Sequence, residues 1–168
     1  LQYTGALRVL KVMMGYEYLW TQVRVKGGAY GCMCTFSRSG DSYFVSYRDP
    51  NLEKTIETYQ EAADYVKNYE ADERTVTQFI IGAVSELDTP MTPKGRGNYS
   101  LSGYLTGLTM DRIQQERDEL LATTAETIKG LSCYIEAFMK DDCLCVVGNG
   151  EKIKEEKKLF LFVDQLFH

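Results

Sequence analysis

The sequence predicts an α+β fold, and three features carry that reading. A period-two stretch over residues 31–47 reads as a β-hairpin. A run of amphipathic helical patterns follows it, from residue 52 to about residue 139. The strand-like and helix-like segments come in blocks and do not alternate, which argues against repeating βαβ units and a parallel sheet.

Residues 5–21 are almost wholly apolar apart from Arg8, Lys11 and Glu17. Such a pattern describes a helix buried on most of its circumference. Gly27 and Gly28 then break it. From Gly31 onward Cys32, Cys34 and Phe36 alternate with Met33 and Thr35. The segment "SRSGD" is a turn signal, and Tyr43, Val45 and Tyr47 alternate beyond it. Asp49-Pro50 reads as a helix start, with Asp as N-cap and Pro at the first helical position. Leu52, Ile56, Tyr59, Ala63 and Val66 continue it at helical spacing.

Asp72 is the expected cap of a second helix, with Val76, Phe79, Ile80, Ala83, Val84 and Leu87 as its inner stripe. Pro90 and Pro93 end that helix. "KGRGN" reads as a solvated loop and Tyr99 to Gly107 as a helix. Thr109 caps a charged helix to about Thr123, and residues 125–139 form another with Ile128, Leu131, Ile135 and Phe138 on one face. "CLCVVGNG", Cys143 to Gly150, is expected as a short buried strand. A last helix carries Leu159, Phe162, Val163, Leu166 and Phe167. Three strands make a thin sheet for this many helices, so one or more strands are expected ahead of residue 1. No repeat or low-complexity segment interrupts the chain, which is read as one domain over residues 1–168.

Composition narrows the function. The net charge is -5 and the basic residues do not cluster, which argues against a nucleic-acid or anionic-membrane partner. No run approaches the ~20 apolar residues that span a bilayer. The first residues lack the basic segment and cleavage site of a secretory signal. Five cysteines in 168 residues do not suggest a disulfide framework, so reduced thiols in a cytoplasm are expected.

The lone histidine, His168, stands at the extreme C-terminus, where a catalytic role is not expected. Without an internal histidine there is no His-x-x-Glu-His zinc motif, no Ser-His-Asp triad and no Cys-His pair. Cys32-x-Cys34 and Cys143-x-Cys145 would each place two thiols on one strand face. Four sulfurs would converge if those strands were neighbours, but small buried residues in a sheet is the preferred reading. "PKGRGN" lacks the preceding strand and following Lys-Ser/Thr of a phosphate loop. The acidic pairs Asp141-Asp142 and Glu70 to Glu73 lie at helix ends, where capping explains them better than acid–base chemistry.

What is left is Arg24 and Tyr30, on either side of Gly27-Gly28. Arginine offers a planar fork of donors for a carboxylate or a peptide carbonyl. A tyrosine phenol is a neutral donor able to stabilise a developing oxyanion. The glycines let another backbone approach closely. The bland alternative is a helix cap, a tight turn and an aromatic residue starting a strand.

The stretch "YLWTQVRVKGGAYGC" resembles the C-terminal region of the insulinase (pitrilysin) family of inverted zinc peptidases, in its presequence-protease and falcilysin-like subgroup. "YTGALRVL", "VSYRDPNLEKTIE", "IIGAVSELDTPMTPKGRG" and "VVGNGEKIKE" fit the same region in the same order. The resemblance implies a two-layer sandwich, helices on one face of a mainly antiparallel sheet, as the last domain of a four-domain clamshell. It also implies that zinc is bound by an absent N-terminal domain, through an inverted His-x-x-Glu-His plus a distant Glu, and not by this chain. Arg24 would hold a short or unfolded peptide substrate, with Gly27 and Gly28 admitting it, and Tyr30 would donate to the carbonyl oxygen at the scissile bond. The partner is then the N-terminal half of the same polypeptide, and this chain alone is expected to cleave nothing. A sheet edge left open by truncation invites a homodimer. The setting implied is a cytoplasm, bacterial in origin. The alternative is a non-catalytic peptide-binding or scaffold subunit of the same family.

Overall fold

A computed structural model describes residues 1–165. Helix α1 (Ala6–Met13) is continuous with a π-wound helical segment, Met14–Lys26. The hairpin follows as β1 (Gly31–Phe36) and β2 (Ser42–Tyr47). The chain then forms α2 (Leu52–Lys67), α3 (Glu73–Leu87), α4 (Pro93–Thr106), α5 (Met110–Leu121), α6 (Ala125–Gly130), α7 (Ser132–Met139) and α8 (Gly150–Glu155). A short 3-10 turn at Lys157–Leu159 comes last. The class is α+β, with one two-stranded antiparallel sheet among the described residues. The expected tail-helix positions Leu166 and Phe167, and His168, lie outside the described residues.

Helix α1 and the π-wound segment form the spine of the core. Leu10, Met13, Met14, Leu19 and Val23 are fully buried there, against Val66 of α2, Leu120 of α5, Ile128 of α6 and Ile135 of α7. The hairpin covers this cluster with one face. Cys34 and Phe36 point inward, and the Phe44 ring packs against Tyr59 and Phe138 with centroids 5.1 Å away in each case. Its other face carries Met33 opposite Val45 and Thr35 opposite Tyr43, and Met33, Tyr43, Val45 and Tyr47 are exposed.

Two caps fall where the sequence places them. Asp72 accepts from the Thr75 N–H at 2.8 Å, and Thr109 from the Arg112 N–H at 3.2 Å. A cap that the sequence reading did not single out is the reciprocal capping box of Thr124 and Thr127 at the start of α6. Other expectations are corrected. The first helix runs past residue 21 to Lys26, with Tyr16 and Trp20 exposed. "KGRGN" is the first turn of α4, because Thr92 caps it and Pro93 enters at its first position. Residues 125–139 divide into α6 and α7 at Leu131. Cys143 to Gly150 forms no strand, and Cys143 and Cys145 are exposed. A strand needs a partner edge, and no described strand edge receives this one. Phe160 to Gln165 is not helical either.

Candidate functional site

The segment from Trp20 to Asn51 builds one exposed cluster. It begins with the winding of the helix that delivers Arg24. The buried positions Met14, Tyr18, Leu19, Val23 and Gly27 recur every four to five residues, a spacing suited to i→i+5 hydrogen bonding. Trp20 and Arg24 therefore share the outer side, and the Arg24 guanidinium carbon lies 4.3 Å from the indole centroid.

The Gly27-Gly28 turn closes that helix. Gly28 adopts φ +81° and donates from its N–H to the Arg24 carbonyl at 2.9 Å, while the Ala29 N–H reaches the Val23 carbonyl at 3.2 Å. The two nested bonds follow the Schellman arrangement, widened by one residue to suit the π winding. A Cβ on Gly27 would stand 2.4 Å from the Val23 carbonyl oxygen, so the turn has no room for a side chain there. Beyond it, the Tyr30 N–H donates to the Tyr47 carbonyl at 3.1 Å and the Arg48 carbonyl at 3.4 Å, which ties the turn to the far end of the hairpin.

Tyr30 is 63% exposed. Two cations lie near its ring, the guanidinium carbons of Arg24 and Arg48 each 5.7 Å from its centroid. Tyr47 meets it edge-on at 6.0 Å and 81° and takes Arg48 over its own face at 5.3 Å. Arg24 also donates from Nη1 to the Tyr30 backbone carbonyl, so the two candidate residues are coupled directly. Beneath them, burial pushes the Cys32 thiol pKa up against the opposing pull of the Arg24 charge. No described carboxylate forms an ion pair with Arg24 or Arg48.

The residues after β2 brace the turn. Asp49-Pro50, expected as the start of α2, lies ahead of it, since α2 begins at Leu52. The Asp49 carboxylate accepts from the Asn51 N–H at 2.9 Å and the Thr55 hydroxyl at 2.7 Å. Asn51 holds the N-cap position, but its side-chain amide donates to the Gly27 carbonyl instead of capping the helix. Pro50 lies against Gly28, its Cγ 3.6 Å from where a Cβ would stand. Lys152 of α8 donates to the Pro50 carbonyl at 3.2 Å.

The structure thus gathers Arg24, Gly27, Gly28 and Tyr30 into one surface feature. It adds Trp20, Tyr47, Arg48 and Asn51, which the sequence reading did not single out. Trp20 carried a legible signal, four residues before Arg24 on a helix, whereas Arg48 and Asn51 were absorbed into a helix-start motif. The cysteine option does not assemble. Cys34 is buried, Cys143 and Cys145 are exposed, and no three His, Cys, Asp or Glu side chains converge for a metal among the described residues. A groove between α3 and α4, lined by Leu87, Met91 and Tyr99, includes none of the clustered residues, nor does one beside Tyr3 and Arg38. Among the described residues no helix is long and apolar enough to cross a membrane.

Residues 1–148 match the family described as the PreP C-terminal domain. The chain is 45% identical over 159 residues to Protein HypA of Clostridium perfringens, covering 95% of this chain and 16% of that protein. It is 35% identical over 150 residues to presequence protease 1, chloroplastic/mitochondrial, of Arabidopsis thaliana, covering 89% of this chain and 14% of that protein. Against the mitochondrial presequence protease of Saccharomyces cerevisiae it is 35% identical over 124 residues, 70% of this chain and 12% of that protein. The chain spans about a sixth or less of the length of these relatives.

Proposed function

The chain belongs to the PreP C-terminal domain family, the C-terminal part of presequence-protease-like peptidases of the insulinase family, and from that premise we propose that it is one half of a split peptidase site. The observation that carries this is the single exposed cluster of Arg24 and Tyr30, rigidly joined through the Gly27-Gly28 turn. Tyr30 presents a solvent-accessible phenol, a neutral hydrogen-bond donor for the carbonyl oxygen of a scissile peptide bond. Arg24 holds the peptide with the donors left over from its bond to Tyr30, and fixes Tyr30 through that bond. Gly27 and Gly28 form the tight turn that sets the spacing of these two residues along the path proposed for the substrate backbone.

The cluster is open to solvent, so a peptide becomes enclosed only when a second surface faces it. We assign that surface to the N-terminal half of the same polypeptide, which in this reading also carries the zinc. The exposed hairpin face of Met33, Tyr43, Val45 and Tyr47 would line the chamber between the halves. The sheet would be completed by further strands into a two-layer sandwich, and short or unfolded peptides would be the substrates. By itself the chain would be inactive. Five free thiols and a bacterial relative support a cytoplasmic parent.

The test is Tyr30→Phe in the full-length protein with a fluorogenic peptide. Turnover should fall about a hundredfold with peptide affinity within about twofold, since the phenol acts on the transition state. Arg24→Lys should chiefly weaken peptide binding. Unchanged turnover in Tyr30→Phe would remove the oxyanion role and leave a peptide-binding subunit as the reading.

A further inference from the structure

We propose that Arg48 is a carboxylate subsite beside Tyr30, gripping a carboxylate of the peptide that Arg24 and Tyr30 engage; the proposal rests on the peptide-binding reading above. Arg48 stands directly after β2 at φ +49°, a left-handed conformation that L side chains rarely adopt and glycine adopts freely. That conformation accompanies a defined placement. The Arg48 carbonyl accepts from the Tyr30 N–H, and its guanidinium carbon lies 5.7 Å from the Tyr30 ring and 5.3 Å from the Tyr47 ring.

The side chain is exposed and has no hydrogen-bond or ion-pair partner among the described residues. Arg38 and Arg112 are committed to Glu116, and Arg117 to Asp88. The nearest carboxylate in sequence, Asp49, is engaged by the Asn51 N–H and the Thr55 hydroxyl. A guanidinium carries five donors in a fork that matches a carboxylate through two parallel hydrogen bonds. Aromatic faces restrict its motion, so less order is lost on binding. An arginine placed this way, next to the residue proposed to meet the scissile carbonyl, lacks only an external anion. On a peptide that anion is the C-terminal carboxylate or an Asp or Glu side chain.

The experiment is equilibrium binding of a fluorescently labelled peptide to the full-length protein, with a chelator present so that the peptide stays intact. The peptide contains one Glu and a free C-terminus, and is compared with its C-terminally amidated form and its Glu→Gln form. In the wild type, one of the two changes should weaken binding about tenfold, and which one does so identifies the source of the carboxylate. Arg48→Gly relieves the positive φ and so retains the fold. It should bind the parent peptide about tenfold more weakly and lose its response to amidation and to the Gln substitution. Arg48→Lys should recover binding only in part. If Arg48→Gly discriminates among the three peptides as the wild type does, or if the wild type responds to neither change, the subsite is refuted. Tyr30→Phe turnover, measured in parallel, separates the two readings. Its loss together with an unchanged Arg48→Gly overturns this proposal alone, and its retention overturns the oxyanion role while the binding series still decides Arg48.

Discussion

Two adjacent glycines do different jobs. Gly27 is required for space, since the Val23 carbonyl lies 2.4 Å from where a Cβ would stand. Gly28 is required for conformation, at φ +81°. Gly28→Ala should cost about 1–2 kcal/mol from the left-handed penalty alone. Gly27→Ala should cost at least as much, because backbone must move to admit it. Thermal denaturation of each variant measures this, and a Gly27→Ala chain as stable as the wild type would show that the turn relaxes freely. Asn51→Ala removes the amide that holds the Gly27 carbonyl, at a cost of about 1 kcal/mol, and in the full-length protein should lower kcat/KM without Asn51 touching substrate. Normal kinetics in that variant would mean that the turn holds Arg24 and Tyr30 in place unaided.

At the scale of elements, polar clamps join α5 to both ends of the α1–hairpin unit. Glu116 on α5 is buried and accepts from Arg38, in the hairpin turn, at 2.6–3.0 Å and from Arg112 at 3.1 Å. Arg112 in turn donates to the Tyr3 carbonyl at 2.5 Å. Glu116→Ala would leave the partly buried Arg38 guanidinium without its acceptor and Arg112 with only the Tyr3 carbonyl and the Gln115 amide oxygen. Its cost should be about 2 kcal/mol, between the values for exposed and for fully buried pairs. Urea denaturation measures it, and a loss below about 0.5 kcal/mol would place the clamp among ordinary surface pairs. One turn along, Glu119 accepts from the Thr4 hydroxyl at 2.7 Å and the Gly5 N–H at 2.8 Å. Burial pushes its pKa up, but these bonds and one from Gln115 outweigh it and hold the carboxyl below its usual range. A depressed folded-state pKa means that the unfolded chain binds more protons. The contribution is therefore complete above the ordinary Glu value of about 4.3 and is lost as pH falls through the lower folded value. Glu119→Gln should accordingly flatten the acid limb of a stability–pH profile while leaving its slope near neutrality unchanged.

For the molecule as a whole, the sheet is the weak layer. Among the described residues two strands leave both outer edges unpaired, and a two-stranded sheet is marginal unless something packs on it. The helices cover one face, and Met33, Tyr43, Val45 and Tyr47 stay exposed on the other. The isolated chain should therefore self-associate through an open strand edge, and light scattering over a concentration series would reveal a dimer. Pro at an edge N–H should abolish that association. A chain monomeric at every concentration would show that the edges are protected. The full-length reading frame should contain an inverted His-x-x-Glu-His motif near its start, and its absence would favour a non-catalytic subunit.

The α+β class, the hairpin and the caps at Asp72 and Thr109 were legible in the sequence, as was the closeness of Arg24 and Tyr30 across the Gly27-Gly28 turn. Each depends on local rules: alternation of side chains across a pleat, a side-chain oxygen facing free N–H groups, glycine where other residues are strained. The π winding of the helix, the placement of Arg48 over Tyr30 and the bracing of the turn by Asn51 were not legible. The last two join residues 30 and 48, or 27 and 51, which meet only because the hairpin folds back on itself. "RDPN" satisfies the local pattern of a helix start, and only the nearby Gly27 carbonyl diverts the Asn51 amide from capping. "CLCVVGNG" has the composition of a strand but becomes one only where a sheet edge receives it, and pairing of that kind is a property of the tertiary fold.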